Sequence, residues 1–263
     1  MLAEFLPYLF IGAFAGTIAG LLGVGGGLLI VPALALLLPA RGVAPDVVMH
    51  LALGTSLATI VLTSVSSVTA HHRRGAVLWP VFARLTPGIL AGAWLGATVA
   101  HALPAGTLRL VFGIFALLVA LQMGFGAKPP PQRVLPGSAG LGAAGGVIGF
   151  VSAIVGIGGG SLTVPFLVWC NTPMRAAVAT SAAVGLPIAV AGAAGYVFMG
   201  LSHPDLPSAA VGYVHLPALL GISLASVLFA PLGARLAHAV PAASLKRFFA
   251  VFLAVLGLRM LVG

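Results

Sequence analysis

Long apolar stretches without a charged residue follow one another along the whole chain. They cover residues 5–40, 47–70, 85–108, 110–127, 134–174, 176–204 and 206–234, and a last stretch, roughly 242–262, carries only Lys246, Arg247 and Arg259. A transmembrane helix needs about 20 apolar residues to cross a hydrocarbon layer of roughly 30 Å. The pattern therefore predicts an all-α, polytopic membrane protein.

Two of these stretches are too long for one straight helix. Residues 5–40 and 134–174 would span about 54 and 62 Å at roughly 1.5 Å per residue. Near the middle of each lies a glycine run, GVGGG at Gly23–Gly27 and GIGGG at Gly156–Gly160. Each glycine costs a helix about 1 kcal/mol relative to alanine. Four glycines within five residues therefore predict a break, followed by a second short helix whose amides point at the break.

The composition narrows the class of protein further. Charged residues make up 6% of the chain and the mean hydropathy is +1.20, whereas an ordinary soluble domain has about 25% charged residues. This excludes a soluble globular or disordered protein. The net charge of +9 comes from basic residues dispersed between apolar stretches, which indicates membrane orientation, not nucleic-acid binding. The single cysteine, Cys170, excludes a disulfide framework or a CxxC zinc site, and we expect no metal and no cofactor.

The chain contains an internal repeat. Residues 16–32 match residues 149–165, and Thr55-Ser56 match Thr180-Ser181. The segment 128–136, with three consecutive prolines, is the predicted linker between a first membrane repeat at 1–127 and a second at 137–263. Such duplication is typical of secondary transporters.

The distribution of basic residues favours inverted repeats. If the halves point in opposite directions, nine Lys and Arg residues lie on one side of the membrane and three on the other; if they are parallel, each side holds six. The positive-inside rule favours the first arrangement. Inversion requires an odd number of crossings per half, which three transmembrane helices plus a re-entrant, glycine-broken first segment would satisfy. Parallel repeats remain the alternative.

The breaks, and the Thr-Ser pairs that recur beside them in both repeats, suggest an anion site. Helix N-termini carry partial positive charge and free N–H donors, and glycine lets backbone approach a ligand closely. The candidate substrate-binding residues are Gly23, Gly25, Gly26, Gly27, Thr55, Ser56, Gly156, Gly158, Gly159, Gly160, Ser161, Thr180 and Ser181. Close helix packing for the glycines, and structural hydrogen bonding for the hydroxyls, are the alternative interpretations.

The sequence also suggests a role for one histidine and a location for the aromatic residues. His50, one turn before Gly54 and Thr55, is a candidate proton or substrate contact because ionisable residues inside a membrane are often functional; a position at the interface is the alternative. The aromatic residues lie mostly near predicted helix ends, which is typical of an interfacial belt: Trp79, Trp94, Trp169, Tyr8, Tyr196 and Tyr213.

The paired G-[VI]-G-G-G-x-L-x-V-P segments, the GTS and ATS triplets and the closing GARLAH…LKRFFAVFLAVLGLRML resemble the TauE/SafE family of sulfite exporters. The resemblance covers essentially the whole chain. It implies a small permease of the bacterial inner membrane that moves sulfite, thiosulfate or an organosulfonate.

The residues and the resemblance together predict a secondary transporter, and by the resemblance an exporter, of a small oxyanion. Its expected partners are the anion and the lipid bilayer, with a homo-oligomer as an option. A passive small-anion channel is the alternative, since it would use the same site. An enzyme is not expected, because HExxH, GxSxG and paired acidic residues are absent from the sequence. The absence of a Walker A motif argues against direct ATP coupling.

Overall fold

The structure is a computed structural model that describes residues 2–22, 26–125, 134–236 and 242–262. Within these ranges the chain is almost entirely helical. The first repeat contains the helices α1 (Leu2–Leu22), α2 (Gly27–Leu37), α3 (Pro45–Arg73), α4 (Trp79–Ala102) and α5 (Ala105–Gly124), with a 3₁₀ turn at Pro39–Arg41.

The second repeat follows the same order of helices. It contains α6 (Ser138–Val155), α7 (Gly160–Trp169), α8 (Met174–Gly200), α9 (Leu216–Leu236) and α10 (Ala242–Val262). A short antiparallel hairpin, β1 (Ala210–Val211) and β2 (Val214–His215), precedes α9, with Ala210 opposite His215. Its turn contains Gly212, whose φ of +52° is the left-handed region that favours glycine.

Both overlong apolar stretches are interrupted, as the sequence predicts. Each repeat is a long helix, a short helix and three further helices, which confirms the predicted all-α polytopic fold. Among the described residues, five helices are long and apolar enough to cross a membrane: α3, α5, α6, α8 and residues 216–233 of α9. The chain is thus a multi-pass membrane protein. The linker and the repeat boundaries stay predictions, and residues 126–133 lie outside the described ranges.

Helices of one repeat pack against helices of the other. The first helix of each repeat lies against the fourth of the opposite repeat, α1 against α9 and α6 against α4. A Cβ atom added to Gly16 would lie 2.5 Å from the carbonyl oxygen of Ser226, and one added to Gly149 would lie 2.5 Å from that of Ile89. The sequence repeat relates the first pair to the second. The two contacts are therefore copies of one packing arrangement.

Equivalent helices of the two repeats also contact each other, α3 with α8 and α5 with α10. On α3, Gly54 lies beside Tyr196, and Leu57, further along, lies beside Gly192. Residue numbers therefore rise along α3 as they fall along α8, and the two helices run antiparallel. Gly113 beside Leu261 and Gly124 beside Ala250 give the same result for α5 and α10.

Candidate functional site at the helix breaks

The first break lies between α1 and α2. Gly26 is the N-cap residue of α2, with φ −62° and ψ −8°, and its carbonyl oxygen accepts the N–H groups of Leu29 and Ile30, both at 3.0 Å. The N–H groups of a first helical turn have no acceptor within the helix. Candidate residues Gly23 and Gly25 lie outside the described residues. Gly26 and Gly27 occupy the start of the short helix, where the sequence places them.

The second break has an unusual backbone conformation at its first residue. Gly156 caps α6 with φ +71°, and the next amide, of Ile157, donates to the carbonyl oxygen of Ser152 at 3.0 Å. A left-handed residue in this position is a common way to end a helix, and glycine adopts it without strain. The chain then passes Gly158 and restarts at α7, where Gly159 accepts the N–H of Thr163 at 2.8 Å.

The two breaks touch each other inside the protein. A Cβ atom on Gly27 would lie 2.5 Å from the carbonyl oxygen of Gly156, so the start of α2 lies directly against the end of α6. The hydroxyl of Ser56, fully buried on α3, donates to the same carbonyl oxygen at 2.7 Å. The structure thus brings together three sequence-predicted residues from both repeats.

The paired threonines make equivalent bonds across the repeats. The hydroxyl oxygen of Thr55 accepts the N–H of His215, and that of Thr180 accepts the N–H of Leu78, each at 2.9 Å. Both amides immediately precede a helix, α9 and α4 respectively. Each threonine therefore secures the start of a helix of the opposite repeat. A hydroxyl that accepts one hydrogen bond still has its proton to donate.

Replacing either threonine by valine is expected to destabilise the protein. Thr55 and Thr180 are fully buried, and valine keeps their shape but leaves a buried N–H without a partner, which costs about 1–3 kcal/mol. We expect the melting temperature of T55V and T180V in detergent to fall by similar amounts. T69V is the control, because exposed Thr69 bonds only its own helix, at Val65. A drop confined to one of the two variants would contradict their equivalence.

Buried hydroxyls without a partner lie on both helices of the second break and on α8. In the described part of the chain, Ser152 in the last turn of α6, Thr163 in the first turn of α7 and Ser181 on α8 have no hydrogen-bond partner for their side-chain oxygens, although all three are buried. The oxygen of Thr163 lies 3.1 Å from the position that a Cβ atom on Gly159 would take. An unsatisfied buried hydroxyl costs free energy, so these groups are available to a polar ligand.

The remaining candidate residues are distributed around these breaks. Gly158 and Gly159 are buried, and Gly160 and Ser161 are half-buried in the first turn of α7. Ser181 is the repeat equivalent of Ser56, and Gly23 is the repeat equivalent of Gly156. By the repeat, the partner of Ser181 would be Gly23, which lies outside the described ranges. Whether these residues bind substrate stays a prediction.

His50 is buried near the hairpin. Its Nδ1 lies 3.1 Å from the carbonyl oxygen of Asp46, and its Nε2 lies 3.1 Å from that of Ala100 on α4. The ring stacks on Tyr213, with 4.9 Å between centroids.

The three tyrosines of the predicted aromatic belt are buried. Tyr8, Tyr196 and Tyr213 are each 2% exposed or less, so for them the predicted aromatic belt is wrong. Their hydroxyl groups find partners inside: Tyr196 donates to the carbonyl oxygen of Ala153, and Tyr213 pairs with Nδ1 of His101 at 3.0 Å. A position near a helix end does not determine which face a residue occupies, and the sequence carries no other signal for this cluster.

Burial also shifts the pKa values of two hairpin residues that lie outside the spanning helices. Burial raises the pKa of Tyr213 above its ordinary value, which keeps its hydroxyl protonated. Burial, and secondarily the positive charge of Arg41, lowers the pKa of His215. Because the folded protein holds His215 neutral, this residue's contribution to stability is complete above its unfolded pKa of about 6.5 and is lost as the pH falls.

Comparison with known proteins now adds to this geometry. The family model "Sulfite exporter TauE/SafE" matches residues 8–260. The chain belongs to the TauE/SafE family. A probable membrane transporter protein of Haemophilus influenzae is 35% identical over 99% of both chains. The protein YunE of Bacillus subtilis, also named a probable membrane transporter, is 33% identical over 68% of this chain and 72% of its own.

A third relative extends the similarity to an archaeon. A probable membrane transporter protein of Methanocaldococcus jannaschii is 28% identical over 97% of this chain and 95% of its own. No solved structure matches the chain. The family and these relatives identify a membrane transporter of the TauE/SafE family, and the sequence-based recognition of that family is confirmed.

Proposed function

We propose that this TauE/SafE protein is a secondary transporter, operating as an exporter, of a small sulfur oxyanion such as sulfite, thiosulfate or an organosulfonate. The contact between the two helix breaks is the observation that supports it. The start of α2 and the end of α6 meet at Gly27 and Gly156, and the start of α7 follows four residues later. First-turn amides and unpaired hydroxyls at this place offer hydrogen-bond donors to an oxyanion.

The site would bind an anion without a buried basic side chain. Helix N-termini carry roughly half a positive charge each, and discontinuous helices in transporters direct such termini at anionic substrates. The hydroxyl groups of Thr163 and Ser181 would donate to the anion's oxygens. The same donors suit any small oxyanion, so the substrate class rests on the family as well as on the site.

The antiparallel contacts of α3 with α8 and of α5 with α10 support inverted repeats. Equivalent helices run antiparallel only if the axis that relates the repeats is perpendicular to them. If that axis lies in the membrane plane, each repeat crosses the membrane an odd number of times. With three crossing helices per repeat, the glycine-broken first segment is then re-entrant or half-crossing. Rocking of one repeat against the other around the breaks would then expose the site to alternate sides.

A paired variant tests the anion site. Thr163 and Thr172 are both buried threonines without a partner in the described residues, one at the start of α7 and one just beyond its end. We expect T163V to weaken thiosulfate and sulfite binding about ten- to a hundred-fold, the usual loss for a hydrogen bond to a charged group, while T172V binds normally. Isothermal titration of the purified protein measures this.

Transport of the same anions is measured in proteoliposomes. Saturable flux, reduced in T163V and normal in T172V, is the expected result. Equal affinities in the two variants would remove the site from the second break. If the wild-type protein binds none of thiosulfate, sulfite and organosulfonates, the proposed substrate class is refuted. Ionic currents larger than carrier turnover allows would identify a channel.

A further inference from the structure

His50 has carbonyl oxygens at both of its ring nitrogens. The oxygens of Asp46 and Ala100 each lie 3.1 Å away, and the side chain is 5% exposed. A carbonyl oxygen only accepts hydrogen bonds, and a neutral imidazole has one donor and one acceptor nitrogen. One of the two contacts is therefore unsatisfied in neutral His50. Both are satisfied when the ring carries a second proton.

The groups around His50 come from several elements. Tyr213 of the hairpin stacks on its ring, His101 of α4 pairs with the hydroxyl of Tyr213, and the rings of His203 and Tyr196 pack against Tyr213. On its own helix, the side chain of Asp46 is exposed. Within the described residues, no carboxylate forms a salt bridge with this cluster. A charge on His50 would thus be held by carbonyl dipoles and an aromatic face.

A route to water and a route to the breaks both start at this cluster. His101, one residue after Ala100, is exposed at the end of α4, so it can exchange protons with solvent. In the other direction, α3 runs from His50 through Leu53, which packs on Gly156, to Ser56, which binds the carbonyl oxygen of Gly156. Six residues of helix span about 9 Å, close enough for a charge to act on an anion in a poorly screened interior.

From this arrangement we propose that His50 is a proton-binding site whose occupancy is coupled to the oxyanion at the helix breaks, so that proton and anion are transported together. This rests on the proposed function. The proton joins the unprotonated nitrogen of the ring while the site is open to one side of the membrane. It leaves to water when the opposite side opens. Protonated His50 and the anion stabilise each other, and by linkage each raises the other's affinity.

Proton uptake during anion binding tests the coupling. Thiosulfate is the probe, because unlike sulfite it keeps its charge between pH 5.5 and 8. We expect wild-type protein in weak buffer to take up protons when thiosulfate is added, and to bind it about tenfold more tightly at the acidic end of that range, a normal size for coupled sites. H50Q should lose both effects. H72Q is the matched control, because His72 lies exposed at the far end of α3, beside Trp79.

The outcomes separate this inference from the proposed function. Thiosulfate binding without proton uptake would overturn the coupling and leave the anion site intact. If no anion binds, the proposed function fails, and nuclear magnetic resonance of histidine-labelled wild-type protein decides the proton site. The signal missing from H50Q should change protonation within roughly pH 5–8, the usual range of histidine. A ring that stays neutral throughout would refute the proposal, and H50N supplies the assignment if H50Q folds poorly.

Discussion

Alanine at Gly27 is expected to lower the free energy of unfolding by about 1–3 kcal/mol, the usual cost of overpacking, and to weaken anion binding about tenfold or more, equivalent to 1.4 kcal/mol. The new Cβ atom would lie 2.5 Å from the carbonyl oxygen of Gly156 and 3.0 Å from the Cα of Ile157. Backbone atoms cannot move aside as a side-chain tip can. The start of α2 must therefore shift away from the second break.

The neighbouring glycine provides the control. Gly26 has helical backbone angles, and a Cβ atom there would meet nothing closer than the end of Ile30, at 3.4 Å. G26A should keep the stability of the wild type. Thermal unfolding in detergent and thiosulfate titration measure both effects. If G27A and G26A behave alike, the close contact between the two breaks does not exist in the protein.

A second large effect is expected where α6 packs on α4. A Cβ atom on Gly145 would overlap the carbonyl oxygen of Leu85 and lie 3.3 Å from the Cγ1 atom of Ile89. In membranes, small residues let helices approach and gain contacts between their backbones. G145A should cost about 1–3 kcal/mol, and G145L, with a larger side chain, should prevent assembly. Unfolding in sodium dodecyl sulfate measures the loss of stability in G145A, and the yield of monodisperse protein measures the failure of G145L to assemble.

The same helix supplies a matched control in Gly142. A Cβ atom there would lie 4.0 Å from the nearest backbone oxygen, that of Arg84. Because alanine favours a helix by about 1 kcal/mol over glycine, G142A should be neutral or stabilising. The repeat adds a further check, since Gly12 against Ile222 is the equivalent contact on α1 and α9. A stable G145L would show that α4 and α6 do not pack closely here.

Family membership and the site geometry contribute different parts of the functional conclusion. The match over residues 8–260 identifies a membrane transporter, and the names of its relatives state nothing more specific. The proposed anion site and the proton site depend on contacts at Gly156, Thr163 and His50, whereas the proposed sulfur oxyanion and the direction of transport rest on the family as well. The titrations of T163V and H50Q separate these contributions.

Local properties of the sequence determined the membrane class, the helical fold and the places where two helices break. Apolar length sets the number of spans because a bilayer has a fixed thickness, and glycine destabilises a helix wherever it occurs. Both properties act through neighbouring residues, so they can be read along the chain. The same holds for the recognition of the family, which rests on two local motifs and their repeat.

Only the tertiary structure distinguished the glycines from one another. Gly156 needs a positive φ and Gly27 needs close approach, whereas Gly26 and Gly158 have room for a side chain. The bonds from Ser56 to Gly156 and from Leu78 to Thr180 join residues 100 and 102 positions apart. Likewise, Tyr196 and Tyr213 are buried because the helices of both repeats surround them. Contacts of this kind depend on how the helices pack in space. The apolar pattern of a membrane helix does not encode this packing, because lipid and protein neighbours are equally apolar.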